Sequence, residues 1–383
     1  MEHNRKIIYW AGFIFSLPIA LMSYINSSFI SSFIDEKYVG AIYALGSIVS
    51  IITLLVINKT FSELGGYKFL LWVIGLDALA ILLFAFSKSA WQAIILFISI
   101  FTLNILIIFS LDELLKIFSK DSTTGKIRGS YLTFANIAWI IAQLSLGTFL
   151  GDFSFKMIYL TGFVLMVLFF AITYLRLKNI PDPHYDKKNV KKYIKEFFKN
   201  KNLFRVYSLS FLLQFFYSWM VIYTPIYLSI HLGFAWQEIG IIFAIMLLPF
   251  VIIPLPLGKY SDKIGERKML MLGFTIASLA TLSLFFIRAH YIWLWAVLLF
   301  TTRVGAASIE VMNDVYFFKH IKIENEEYVG VYRSTAPVAY IIGPLSAFFV
   351  FLFIPSFNFI YLILGAIMLG GVYISSTIKK SDI

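Results

Sequence analysis

Arg303, Asp77 and the short segment GKYSDKIGERK at 258–268 are the places where this chain could do chemistry, because almost everything around them is apolar. Arg303 lies about twelve residues into an apolar run over 291–310, or about 18 Å along a helix rising roughly 1.5 Å per residue. A cation at that depth could bind an anionic group or pair with a proton-carrying acid; the plain alternative is a structural pair with Glu310 one heptad on. Asp77 is the only acid deep in such a run, and a protonatable carboxyl there suits either proton coupling or a structural role. Asn136, Trp139 and Gln143 recur at i, i+3 and i+7, one helical face, which fits a cavity wall or hydrogen bonding between helices equally well. The segment at 258–268 puts six charged residues into eleven positions between two apolar runs. Glu310 and Arg333 stand near run ends and suit an opposite-charge pair. His231 and His290 also fall at run ends, where solvation is the default.

Other chemistry is missing. No phosphate-cradling glycine loop, HExxH, paired intramembrane histidines or GxSxG occurs, and the chain has no cysteine, so neither an enzyme nor a metal or cofactor site is expected.

The elements that must position these residues follow from composition. Hydrophobic residues make up 60% of the 383, and only 14% are charged against roughly 25% in soluble domains. A bilayer span takes about 20 mostly apolar residues. Twelve such runs are predicted, near 7–31, 38–57, 69–87, 91–111, 131–150, 155–175, 204–230, 236–257, 269–287, 291–310, 329–353 and 357–377. The expected fold is therefore all-α and membrane-embedded, and lengths of this kind exclude a barrel. The first run is too long for the apolar region of a signal peptide and no small-residue cleavage pattern follows it, so it reads as retained.

The net charge of +11 raises the question of a nucleic-acid partner. With both termini on the cytoplasmic side, all but six of the 32 basic residues fall in cytoplasmic segments and helix ends; the six are Lys37, Lys88, Lys156, Arg288, Arg303 and Arg333. That asymmetry is the positive-inside pattern of a multi-pass protein in a cytoplasmic membrane, and it makes nucleic acid unnecessary as an explanation.

One long polar segment, 177–204, divides the runs into two sets of six, giving bundles at 1–178 and 204–383 joined by a basic linker at 179–203. Val190, Ile194, Phe197 and Phe198 recur there at helical spacing among lysines, as in a helix lying on anionic lipid, although a solvated linker explains the same residues. The two sets repeat one another. GSYLTFANIAWIIAQL (129–144) aligns without gaps on GVYRSTAPVAYIIGPL (330–345) with seven identities in sixteen, at an offset of 201. NKTFSELGGYK (58–68) aligns on GKYSDKIGERK at an offset of 200, sharing Lys59/Lys259, Gly65/Gly265 and Lys68/Lys268. Parallel six-span repeats related by an axis along the membrane normal are implied.

With Gly258, Asp262, Lys263, Gly265, Arg267 and Lys268 in their places, the charged segment resembles the loop signature of the major facilitator superfamily. The resemblance implies twelve helices in two pseudo-symmetric six-helix bundles, cytoplasmic termini and this loop between the second and third helices of each half. It also implies that the first, fourth, seventh and tenth helices line a central cavity with the fifth among those beside them. Tyr24, Asn26, Asn104, Asn136, Trp139, Gln143, Gln214, Tyr217 and Arg303 become the substrate-binding candidates on that ground, and Asp77, on a helix peripheral in the family, the coupling candidate. The loop would act as a latch, Asp262 against a helix N-terminus and Arg267 on Glu310 or Asp314, with Arg333 among the gating residues. The first-half copy departs from the pattern at Asn58, Ser62, Glu63 and Tyr67.

The function implied is secondary transport of a small organic solute by alternating access, coupled to protons, by a monomer surrounded by lipid and without a cofactor. The text FYSWMVIYTPIYLSIHLGFAWQEIG (216–240) resembles the drug-efflux and small-metabolite branches, which favours export of amphipathic compounds. Against export, the Gly-Pro antiporter signature expected on the fifth span is replaced by AQLSLG, and Gly343 and Pro344 stand on the eleventh. Uptake of a sugar or small organic anion, and a non-transporting receptor or scaffold of the same fold, are the alternatives.

Overall fold

The computed structural model describes residues 2–116, 124–150, 154–178, 190–254, 257, 264–321 and 327–378, and among them it is helix joined by turns with no strand. In chain order the helices are α1 (Glu2–Ser23), α2 (Asn26–Ser31), α3 (Glu36–Leu64), α4 (Gly66–Ala85), α5 (Ala90–Lys116), α6 (Thr124–Ser145), α7 (Phe155–Arg176), α8 (Val190–Lys199), α9 (Lys201–Ile226), α10 (Trp236–Leu247), α11 (Pro249–Ile252), α12 (Glu266–Leu284), α13 (Ile292–His320), α14 (Glu327–Arg333), α15 (Thr335–Phe351) and α16 (Phe359–Thr377). Ten of the helical stretches among the described residues are long and apolar enough to cross a membrane, from Ile7–Ser31 to Phe359–Thr377. The two remaining expected spans are α6 with its π-helical extension Leu146–Leu150, and the shorter apolar stretch Trp236–Ile252. The latter is broken at Leu248 because Pro249 lacks a backbone donor and crowds the preceding turn. The outer faces stay apolar, with Trp72, Trp91, Trp293 and Phe353 exposed as lipid would require.

Two compact units make up the chain, residues 1–186 with 235–244, and residues 187–234 with 245–383. In the first, α1 packs on α6 and α7, and α4 on α5 and α7. In the second, α9 packs on α15 and α16, and α12 on α13 and α16. These are the same four pairings displaced by half the chain, the packing that an internal sequence repeat requires. The backbone repeats too: Gly65 (φ 79°) and Gly265 (φ 82°) stand just before α4 and α12, in a region of φ that a side chain resists.

Local chemistry explains several boundaries. Asn200 caps α9, its Oδ1 accepting from the backbone N–H of Asn202 and Leu203 at 3.0 and 3.3 Å. Pro225 near the far end of α9 is followed by a π-helical turn at Tyr227–His231, where Ser229 Oγ donates to the Pro225 carbonyl at 2.7 Å. Gly343 and Pro344 form the seat where α9 meets α15. Trp219 Nε1 donates to the Gly343 carbonyl at 2.7 Å, and a side chain at Gly343 would sit on Ser218 Oγ.

Candidate functional site

In the second unit the site is built on α13. Gly305 brings this helix against α12 so closely that a Cβ there would sit on the Ala277 backbone. Residues 303 and 305 differ by about 200° around a helix, so fixing the small face against α12 aims Arg303 the opposite way, toward α9. Its guanidinium carbon lies 5.1 Å from the Phe216 ring centre and 5.3 Å from that of Tyr217, in cation–π range of both. The side chain is 2% exposed, and Nε and Nη1 have no hydrogen-bond partner. No ion pair to Arg303 is present among the described residues.

Glu310 and Asp314 share the Arg303 stripe, seven and eleven residues on, close to whole numbers of turns. Glu310 accepts a hydrogen bond from Tyr217 OH at 3.0 Å. Asp314 pairs with Arg333, Nη2 to Oδ2 at 2.8 Å, and accepts from Tyr332 OH at 2.7 Å. Asn313 Nδ2 donates to the Val206 carbonyl at 3.1 Å and to Tyr332 OH at 2.9 Å, while its Oδ1 is unpartnered. The Tyr332 ring stacks on Phe317, centroids 4.1 Å apart. Gln214 is half-buried on α9.

Two expected pairings, and the alternative pairing of Arg303 with Glu310, are not those the structure has. Arg303 does not pair with Glu310, whose oxygen Tyr217 holds. Arg333 reaches Asp314 and not Glu310, because it stands at the half-exposed end of α14 whereas Glu310 lies one turn deeper. Arg267 pairs with neither acid among the described residues; the charge of Asp314 is met by Arg333. At that end of the bundle the ion pair is instead Glu266 with Lys319, 2.6 Å apart, with the carboxylate only 3% exposed. Gly265, Arg267 and Lys268 are described, Arg267 half-buried and Lys268 exposed, while Gly258, Asp262 and Lys263 lie outside the described residues.

In the first unit most candidates are already engaged with the protein. Gln143 is fully buried and its Nε2 donates to the Ala20 carbonyl at 2.7 Å, pinning α6 to α1, with Oε1 left unpartnered. Trp139, one turn back on the same face, meets Tyr24 edge to face at 6.0 Å. Tyr24 also packs on Phe243, centroids 4.6 Å apart. Asn26 accepts from Tyr159 OH at 2.8 Å. Asn136 is half-buried on α6, and Asn104 is half-buried with an unpartnered Oδ1. Asp77 stands apart from all of these: it is 0% exposed on α4, and neither carboxylate oxygen has a partner.

The model of the Major Facilitator Superfamily matches residues 7–244 and 225–380. The chain belongs to the major facilitator superfamily. No curated protein is a significant sequence match to it. Solved structures share this superfamily chain's fold at low identity. A nucleoside transporter, NupG, is 13% identical with a TM-score of 0.73, covering 99% of this chain and 100% of that one. The peptide-transporter-family (POT) protein PepTSo is 11% identical with a TM-score of 0.75, covering 98% and 97%. A bacterial homologue of the human lysosomal transporter Spinster, solved inward-facing and unoccupied, is 9% identical with a TM-score of 0.68, covering 98% and 93%. The chain is thus a multi-pass membrane protein of a transporter superfamily.

Sequence reasoning missed five residues of the framework around Arg303 and the charged end of the superfamily chain's second unit: Phe216, Asn313, Tyr332, Glu266 and its partner Lys319. Phe216 is one of 40 phenylalanines and carries no local signal. Tyr332 stands out in the sequence only as an identity of the repeat, aligned with Tyr131.

Proposed function

We propose that this chain is a secondary transporter that exports small amphipathic organic solutes by alternating access, coupled to protons, as a monomer in the cytoplasmic membrane with both termini inside. The observation that supports proton coupling is Asp77, an acid buried in a span with neither oxygen bonded. An intramembrane carboxyl without a partner is expensive, and a proton cycle is the use that makes its retention intelligible. The amphipathic character of the solute is supported by the aromatic and amide side chains on the candidate helices, Tyr24 and Trp139 in one unit and Phe216, Tyr217 and Gln214 in the other. The Asp314–Arg333 pair and the loop at 258–268 serve as gating contacts in this reading, lipids surround the bundle, and nucleic acid has no part.

The test is accumulation of fluorescent neutral, cationic and anionic dyes in efflux-deficient bacteria expressing the chain, with and without a protonophore. Export predicts lower accumulation of at least one dye, restored by the protonophore, and loss of the effect in Asp77→Asn at equal membrane abundance. Unchanged accumulation of every dye would sink the export reading, and a protonophore-insensitive decrease would sink proton coupling.

A further inference from the structure

Among the described residues of the second unit, the buried charges do not close on themselves. Three acids are described within its spans, and each is bound to something other than Arg303: Glu266 to Lys319, Asp314 to Arg333 and Tyr332, and Glu310 to Tyr217. Glu310 is the only one of the three on the neighbouring turns of the same stripe without a basic partner, and it lies outside the 4.0 Å limit of an ion pair with Arg303. Arg303 is thus a guanidinium 2% exposed with Nε and Nη1 unbonded and, among the described residues, no carboxylate within ion-pair distance, Glu310 acting on it only through its field.

A guanidinium carries five N–H donors and cannot shed its charge, so burial without an acceptor costs more than for any other side chain of its size. The two rings offset part of that cost, since each offers a π-face to the cation. They leave the in-plane donors unused, because a cation–π contact acts through the face of the guanidinium and hydrogen bonds leave through its edge. What is lacking is an oxyanion, and the aromatic neighbourhood of Phe216 and Tyr217 suits a molecule whose remainder is apolar or aromatic.

We propose that Arg303 is the recognition site for the carboxylate of an amphipathic, aromatic organic anion, which supplies the missing counter-charge when it binds. The proposal rests on the transport reading and names its substrate class. Tyr217 has a second task in it. By donating to Glu310 at 3.0 Å it keeps that carboxylate off the arginine and so leaves the donors open to a ligand.

The experiment compares 1-naphthylacetate with its uncharged isostere 1-naphthylacetamide, by tryptophan-fluorescence titration of the full-length protein in nanodiscs of phosphatidylcholine alone. Wild type is expected to bind the acid at least tenfold more tightly than the amide. Arg303→Gln is expected to bring the two within about twofold, with Arg303→Lys in between, since an ammonium keeps the charge and loses the fork. Equal or absent binding of the acid in wild type, or a preference that survives Arg303→Gln, overturns the proposal. Should Arg303→Gln fail to fold, phenylglyoxal labelling of wild type decides: the acid must protect Arg303 from modification and the amide must not. An anionic lipid is the other source of an oxyanion. If phosphatidylglycerol, and not naphthylacetate, raises the thermal stability of wild type over Arg303→Gln, the occupant is lipid and the proposal fails. Equilibrium binding is independent of turnover, so a positive result here with no dye export would remove the transport reading alone.

Discussion

Among the described residues each unit buries one charged side chain with no ion-pair partner, and the two have opposite charge: Asp77 on α4 in the first, Arg303 on α13 in the second. Neither is matched in its twin. At the offset of 200 that relates 58–68 to 258–268, Asp77 falls on Ala277; Arg303, between the stretches aligned at 200 and 201, falls on Leu103 or Thr102. The packing explains why the acid cannot occur in both. Ala277 lies against the backbone of Gly305, where α12 and α13 touch, so the second unit uses a small residue to bring helices together at the position where the first holds a carboxyl. The repeat thus preserved helix pairing while letting polar chemistry diverge, which is what a shared scaffold with separate tasks requires.

Transplanting the carboxyl is the harshest way to break that comparison. Ala277→Asp would force a charged group into the contact with Gly305, and overpacking plus burial without a partner should cost about 3–5 kcal/mol. Loss of the monodisperse peak in detergent chromatography is the expected readout; a normal peak with unchanged melting temperature would refute the claimed closeness of α12 and α13. Next in size is Lys319→Met, which removes the cation paired with the buried Glu266 carboxylate. Roughly 1–3 kcal/mol of stability should go, visible as a lower melting temperature, and Glu266→Gln on the same background should restore part of it. The reverse transplant, Asp77→Ala, makes the first unit like the second. Removing an unpartnered buried acid should leave stability unchanged or raise it, by up to about 2 kcal/mol, while abolishing proton-driven transport; lower stability with normal transport would reduce Asp77 to a structural residue. The smallest change is Asp314→Asn. Its pair with Arg333 is half-exposed, so about 0.2–1 kcal/mol is at stake, and the sharper readout is a faster transport cycle as the contact weakens.

Much of the fold was legible because its determinants are local. Apolar runs of about 20 residues mark the spans, and all ten helices that meet the length and hydropathy requirement fall where the runs predict them. Gly65 and Gly265, picked out by the repeat, prove to be the positive-φ residues that start α4 and α12. The break at Leu248 was less visible, since Pro249 and Pro254 stand in a run that is apolar throughout and membrane helices often carry proline without breaking.

The candidate site was legible in type and only partly in role. Helical spacing placed Trp139 and Gln143 on one face of α6, and they do reach Tyr24 and α1 respectively, but whether a polar side chain is spare or already bound depends on a partner far away in sequence. Gln143 is bound to Ala20, Asn26 to Tyr159, and Tyr217 to Glu310. Asp314 and Arg333 are only 19 residues apart, yet nothing in that spacing chose Arg333 over Arg267, since the choice depends on how α13, α14 and α12 lie at one end of the bundle.

By itself the sequence determined an all-helical, membrane-spanning, internally repeated chain, because apolar length and glycine placement act within a few residues of where they are written. Only the tertiary structure decided which buried polar groups remain unsatisfied. Hydrogen bonds between helices depend on crossing geometry, and the helices that cross bring no hydrogen-bond partner to the Asp77 oxygens or to Arg303 Nε and Nη1.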